Sequence, residues 1–111
     1  MYKLFFALKN SISGLRFIIR ERAFLEELLL FLFTGSPLIY VEISCIKRIY
    51  VISSMFIILI AETINSAIET TIDRISMEKN HLSKKSKDIA SFAVLLSLIH
   101  FVIVYSIFVI F

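Results

Sequence analysis

From residue 89 to residue 111 the chain carries no Asp, Glu, Lys or Arg. A run of that length exceeds the roughly 20 residues a helix needs to cross a bilayer. A water-soluble protein of 111 residues has no interior large enough to hide it. Two further apolar stretches precede it, and the mean hydropathy of the whole chain is +0.89. Hydrophobic residues make up 59% of the chain, against roughly 45–50% in soluble domains. The bilayer is therefore the expected solvent, and one membrane-embedded domain, 1–111, the expected organisation.

The expected fold is all-α and integral to the membrane, with three transmembrane helices preceded by an N-terminal amphipathic surface helix. The surface helix is expected over 2–20. There Leu4, Leu8, Ile12, Leu15 and Ile19 recur at spacings of four and three, while Lys9, Ser13, Arg16 and Arg20 gather on another face. An apolar stripe with basic flanks suits a helix lying in the membrane interface. The spans are expected at about 24–46, 49–74 and 87–111. The first is interrupted by Gly35, Ser36 and Pro37, so it requires neighbours to satisfy the carbonyl a proline frees, or else forms a re-entrant segment. The second contains Glu62, Asn65 and Glu69. Eleven Ile, Leu, Val or Phe residues in 49–72, each favouring insertion by roughly 0.3–0.6 kcal/mol, offset acidic residues that cost about 2.5–3.5 kcal/mol each at a helix centre. In the third span His100 is read as a packed or hydrogen-bonded side chain.

Basic residues set the expected orientation. Lys3, Lys9, Arg16, Arg20 and Arg22 precede the first span, and Arg74, Lys79, Lys84, Lys85 and Lys87 lie around the second loop. The first loop is expected to hold only Lys47 and Arg48. The N-terminus and second loop are thus expected on the cytoplasmic side of a bacterial cytoplasmic (inner) membrane. The net charge of +3 is assigned to orientation and anionic lipid, with no nucleic-acid partner expected. Cys45 stands alone, so no intrachain disulfide can form. The short apolar run 4–8 ends at Lys9 without a cleavage pattern and is not read as a signal peptide.

Glu62, Asn65, Ser66, Glu69 and Asp73 share one face of the second span, because offsets of three, four, seven and eleven return to the same side of a helix. Such a stripe has to face a bundle interior or a watery pocket, and one three-helix subunit can hardly enclose it, so an oligomer is expected. The antiparallel course of the spans brings Glu21, Glu26 and Glu27 to the depth of Glu69 and Asp73. Lys84, Lys85, Lys87 and Asp88 are expected in the adjoining loop. Carboxylates that hold Mg²⁺ beside lysines that neutralise phosphate oxygens form a metal–polyphosphate site. A buried carboxylate can serve as base. Bland readings stand beside this one. Glu26 and Glu27 can be solvated charges at a helix start, the lysines can merely fix topology, and Asn65 and Ser66 can merely bond between helices. A glutamate pair also suits a cation-coupled transporter. The G-x-x-x-x-G-K-[ST] phosphate loop is absent from the sequence.

The segment Glu62-Thr63-Ile64-Asn65-Ser66-Ala67-Ile68-Glu69-Thr70-Thr71-Ile72-Asp73-Arg74 closely resembles the prokaryotic diacylglycerol kinase signature E-x-x-N-[ST]-A-I-E-x-x-x-D. The blocks Glu21-Arg22-Ala23-Phe24-Leu25-Glu26-Glu27 and Ser86-Lys87-Asp88-Ile89-Ala90-Ser91 are similar to the family's E-x-A-F-x-x-E and A-K-D-M-G-S. The resemblance implies a homotrimer that uses Mg-ATP to phosphorylate a membrane lipid hydroxyl. By position it implies Glu62 as base, Glu21 and Glu69 as metal-binding carboxylates, and Asn65 as the asparagine beside them. It puts Asp73, Lys87 and Asp88 on the nucleotide side, with Arg16 as a basic position near the surface helix. Diacylglycerol is the expected acceptor. Undecaprenol kinase, a sister activity on the same scaffold, is the alternative, and a small cation-coupled transporter a more remote one. The chain departs from the pattern at Leu25, Glu26, Ser86, Ile89 and Ala90, and Glu21 stands one residue closer to Arg16 than usual.

Overall fold

A computed structural model describes residues 2–111. The described chain is helical, in the order α1 (Tyr2–Ile18), α2 (Arg22–Gly35), α3 (Pro37–Tyr40), α4 (Cys45–Ile75) and α5 (His81–Tyr105), with a π-helical end, Ser106–Ile110. Three segments are long and apolar enough to cross a membrane, namely Arg22–Tyr40, Cys45–Ile75 and His81–Ile110. The all-α expectation holds. At about 1.5 Å per residue, the 31 residues of α4 span roughly 46 Å, which exceeds the ~30 Å hydrocarbon thickness. Its ends therefore project past the hydrocarbon.

Helix ends depart from the sequence expectation in three places, two of them for one reason. Charge was taken to mark loops, whereas caps mark them here. Ser44 Oγ accepts the Lys47 amide at 3.3 Å, so α4 starts at Cys45. Lys47 and Arg48 then lie on α4, and the first span stops at Tyr40 rather than near 46. Asn80 Oδ1 accepts the amides of Leu82 at 2.8 Å and Ser83 at 3.4 Å, which starts α5 at His81 rather than near 87. Lys84, Lys85, Lys87 and Asp88 consequently sit on α5, not in a loop. The two connections shrink to residues 41–44 and 76–80. Arg48 Nη2 ties the first back to α4 by donating to the Val41 carbonyl at 2.9 Å.

α4 and α5 pack against each other as an antiparallel pair, and α2 packs against α4 and reaches α5 through Phe31 and Thr34. Apart from Ser54, which is also fully buried, the buried positions of α4 alternate at spacings of four and three. Val51, Met55, Ile58, Glu62, Asn65 and Ile72 are buried and Glu69 half-buried. Such a repeat keeps one seam facing its neighbours along a long helix. Ala90, Val94, Ser97 and Phe101 form the matching seam of α5. The apolar core occupies the end nearest residues 41–44, where Leu38, Val51, Met55, Ile58 and Phe101 meet. Phe31 and Phe101 pack edge to face there at 6.0 Å. Hydroxyls in the spans are satisfied by their own helices. Ser54, Thr63, Thr71 and Ser97 each donate to a backbone carbonyl three or four residues earlier.

The Gly35-Ser36-Pro37 interruption is resolved as the bilayer requires. Pro37 opens α3 and has no amide to give to α2. Ser36 Oγ donates to the Phe33 carbonyl at 3.3 Å, and the Tyr105 phenol reaches across from α5 to the Thr34 carbonyl at 2.9 Å. The Tyr105 bond also pins the end of α2 to α5. Tyr105→Phe should lower unfolding free energy in mild detergent by about 0.5–1.5 kcal/mol, the usual worth of one hydrogen bond. A thermal or SDS-titration midpoint unchanged from wild type would contradict that role.

Candidate active site

Below the apolar core, the α4 seam turns polar. Glu62 and Asn65 are 6% and 7% exposed, and the next seam position is Glu69. Asn65 Nδ2 donates to Glu69 Oε1 at 3.3 Å, which turns Asn65 Oδ1 inward, where it finds no donor. Glu62 lies within electrostatic reach of Glu69, Glu21 and Glu27. Glu62 is thus influenced by one carboxylate further along α4 and by two at the start of α2.

The sequence brought Glu27 to the depth of the site together with Glu26 but assigned it no role, with a solvated helix-start charge as the bland reading. Its neighbour Glu26 behaves as a solvated helix-start charge and pairs with exposed Arg22 at 3.0 Å. Glu27 is 8% exposed, with Oε2 buried and unpartnered. The signal was present in the repeat of α2 and α3. Phe24, Glu27, Phe31, Thr34 and Leu38 recur at three and four, and Glu27 holds a seam position.

Glu21 stands at the entrance. It caps α2 with extended backbone (φ −74°, ψ 130°), but its side chain makes no capping bond. Its carboxylate is thereby left available. One turn beyond Glu69, Asp73 accepts from Lys87 Nζ at 2.7 Å, which joins α4 to α5. Both side chains are about 40% exposed, at 39% and 42%, so the pair is wet and replaceable. Asp88 is held by Lys84 at 2.7 Å on the exposed face of α5.

Two cavities flank this column. One, of about 540 Å³, lies at the α4–α5 turn and includes Lys79, Lys84, Lys87, Asp88, Asn80 and His81 in its lining. The other, of about 620 Å³, lies between the end of α1 and α4 and includes Phe17, Arg20, Glu21, Thr63, Ser66 and Thr70. Of the sequence-derived residues, Glu21, Glu62, Asn65 and Glu69 are brought together, and Asp73 with Lys87 stands next to them. Arg16 is exposed and lines neither cavity, whereas Arg20 lines the second.

Comparison with known proteins decides the family. The profile of "Prokaryotic diacylglycerol kinase" matches residues 9–109. The chain belongs to this family. It is 39% identical over 98 residues to "Diacylglycerol kinase" of Escherichia coli K12, covering 87% of this chain and 80% of that one. It is 36% identical over 84 residues to the protein of the same name from Pseudomonas aeruginosa, covering 75% and 68%. Against the Helicobacter pylori protein, also named diacylglycerol kinase, the figures are 35% over 104 residues, 93% and 81%. The diacylglycerol kinase class and the membrane-spanning architecture thus agree, and the carboxylate column occupies the segment that carried the resemblance.

Glu26→Gln and Glu27→Gln separate the two adjacent glutamates of this diacylglycerol kinase family member. The exposed Glu26 change should shift stability by no more than about 0.5 kcal/mol. The Glu27 change removes a buried carboxylate facing Glu62, so it should raise the thermal midpoint while lowering activity. Equal behaviour of the two variants would contradict the difference in their surroundings.

Proposed function

We propose that this chain transfers the γ-phosphate of ATP to the free hydroxyl of diacylglycerol at the cytoplasmic membrane interface, giving phosphatidic acid and ADP. The observation that carries the reading is the polar half of the α4 seam. Glu62, Asn65 and Glu69 lie on a protein-facing line inside a membrane span, beside the unpartnered acceptor of Glu27. Buried acceptors without donors favour a ligand that brings cationic or hydrogen-bonding groups. The printed names of the relatives favour diacylglycerol over undecaprenol as acceptor.

The donor set fits Mg²⁺ in the form that arrives with a nucleotide. That ion takes one or two protein carboxylates and completes its shell with phosphate oxygens and water. Among the described residues no three His, Cys, Asp or Glu side chains form a ready-made cage. Glu21, uncapped at the α2 start, and Glu69, oriented by Asn65, are the two carboxylates that would hold it. When bound, Mg²⁺ neutralises developing charge on the transferred phosphoryl group.

The remaining work falls to side chains. The lipid approaches from the bilayer through the cavity between α1 and α4, whose Thr63, Ser66 and Thr70 lead along α4 towards Glu62 and Glu69. Glu62 takes the hydroxyl proton as the lipid oxygen attacks the γ-phosphorus in line with the departing ADP oxygen. The O–P bond to lipid forms as the P–O bond to ADP breaks. Lys87 offers its ammonium to phosphate oxygens from its place against Asp73, and Asp88 borders the same basic cavity. Arg16 would meet the nucleotide or the surface from α1. The homotrimer in this reading rests on the family resemblance, because a single chain already buries Glu62 and Asn65, which from the sequence were expected to need an oligomer to enclose them.

Glu62→Gln should lower turnover by about 10²–10⁴-fold, the range of general-base catalysis, without loss of assembly. Transfer from labelled ATP to diacylglycerol or undecaprenol in mild detergent, with and without chelator, measures this. Labelled phosphatidic acid that vanishes with chelator and in the variant is the expected result. Near-wild-type turnover in a folded Glu62→Gln protein would remove the base assignment, and preferential labelling of undecaprenol would replace the acceptor. Native mass spectrometry should give three copies, and a monomer that retains full activity would contradict the trimer.

A further inference from the structure

The turn between α1 and α2 is tightly wound. The amides of Ile19, Arg20 and Glu21 donate to the carbonyls of Leu15, Phe17 and Ile18 at 3.1, 3.2 and 3.0 Å. Arg20 and Glu21 are thereby held side by side, and both border the 620 Å³ cavity beside α4. Three arginines lie close together here, yet their surroundings differ. Arg22 pairs with Glu26 on the exposed side of α2. Arg16 lines neither of the two cavities. Arg20 belongs to no ion pair among the described residues, and it is the one cation in the wall of this cavity.

Other polar side chains of that wall have less to offer an anion. Thr63 and Thr70 give their hydroxyl protons to the carbonyls of Leu59 at 2.7 Å and Ser66 at 2.9 Å, and so remain acceptors only. Glu21 is itself an anion. The donors left are the Arg20 guanidinium and the Ser66 hydroxyl, and Ser66 is a near neighbour of Glu62.

The chemistry proposed above puts a demand on this side. The transferred group starts near Lys87 and the basic cavity at the α4–α5 turn, and ends on the lipid oxygen in the cavity that Arg20 borders. A phosphate on that oxygen stands beside Glu21, with Glu62 and Glu69 close by. Like charges at such range oppose the transfer unless a cation accompanies the group. A guanidinium meets two phosphate oxygens at once, in a planar fork that an ammonium lacks.

We propose that Arg20 holds the transferred phosphoryl group on the acceptor side. Its guanidinium donates to two non-bridging oxygens as the bond to the ADP oxygen breaks and the bond to the lipid oxygen forms. The hydroxyl proton goes to Glu62, and no covalent bond to Arg20 forms or breaks. The same contact retains the anionic product, so Arg20 also sets the strength of product inhibition. This assignment rests on the lipid phosphorylation proposed above and adds the residue that receives its product.

The test uses the full chain in nanodiscs, with Arg20→Gln, Arg20→Lys and Arg20→Gly beside wild type, and Lys9→Gln as the control for loss of a cation from α1. Arg20→Gln should lower kcat for lipid phosphorylation by about 10–150-fold, the range of hydrogen bonds to a charged group, with the KM for ATP unchanged. Inhibition by added phosphatidic acid should weaken by about tenfold. Arg20→Lys should recover part of the loss, and millimolar guanidinium should restore turnover to Arg20→Gly, which a purely structural role would not allow. Lys9→Gln should behave as wild type. Phosphorus NMR of a short-chain phosphatidic acid, without ATP, reads the contact directly. Its resonance should shift with wild-type protein and not with Arg20→Gln. Wild-type turnover and product inhibition in Arg20→Gln overturn the proposal. Equal losses in the Gln and Lys variants, with no guanidinium rescue and phosphatidic acid bound as by wild type, overturn it too. Absence of lipid labelling by wild-type protein counts against the kinase reading instead. The phosphorus resonance then decides the Arg20 contact by itself, and an unshifted one overturns it.

Discussion

A carboxylate in a membrane span has to face protein or water, and α4 turns that constraint into a site. Its seam holds one register over its whole length, apolar at Val51, Met55 and Ile58, then polar at Glu62, Asn65 and Glu69. The apolar half fixes the packing of α4 against α2 and α5. Because the register is continuous, that packing also decides where the acidic half points. Rotation of α4 to relieve the carboxylates would drive Val51 and Ile58, both fully buried, into lipid and break their packing.

The two ends of the bundle divide the work. Near residues 41–44, aromatic and aliphatic contacts and the Tyr105–Thr34 bond give a dry, close-packed clamp. Towards the α4–α5 turn, bonds become wetter and more polar. There Lys87 meets Asp73 across the helix pair, and Glu21 sits at a helix start with its side chain uncapped. A ligand entering at that end meets groups that can change partners at little cost, while the clamp holds the backbone of the helices that carry them.

Much of this was legible in the chain. The three spans followed from apolar length, despite the Gly35-Ser36-Pro37 interruption in the first and the carboxylates in the second, and the polar stripe from spacings of three and four. The carboxylates of Glu21, Glu62 and Glu69 were grouped by topology and by resemblance to prokaryotic diacylglycerol kinases. Helix ends were less legible, because charge was read as loop where Ser44 and Asn80 in fact cap helices that run on through lysines. Glu27 was not told apart from Glu26 because adjacent acidic residues look alike in sequence, and only the seam Phe24, Phe31 and Leu38 assigns it inward. The partner of the Pro37 break lies on a helix almost seventy residues away, 71 positions from Thr34 to Tyr105. No local pattern reports such a contact.

The central claim is that the acidic half of the α4 seam, with Glu21, holds a divalent cation together with nucleotide phosphates. The most direct measurement is the electron paramagnetic resonance of Mn²⁺ added to the intact protein with a non-hydrolysable ATP analogue. Bound Mn²⁺ should be seen with the analogue and only weakly without it, and Glu69→Gln should abolish it while leaving the protein folded. Tight Mn²⁺ binding that survives in Glu69→Gln and Glu21→Gln would contradict the account and move the metal away from this seam.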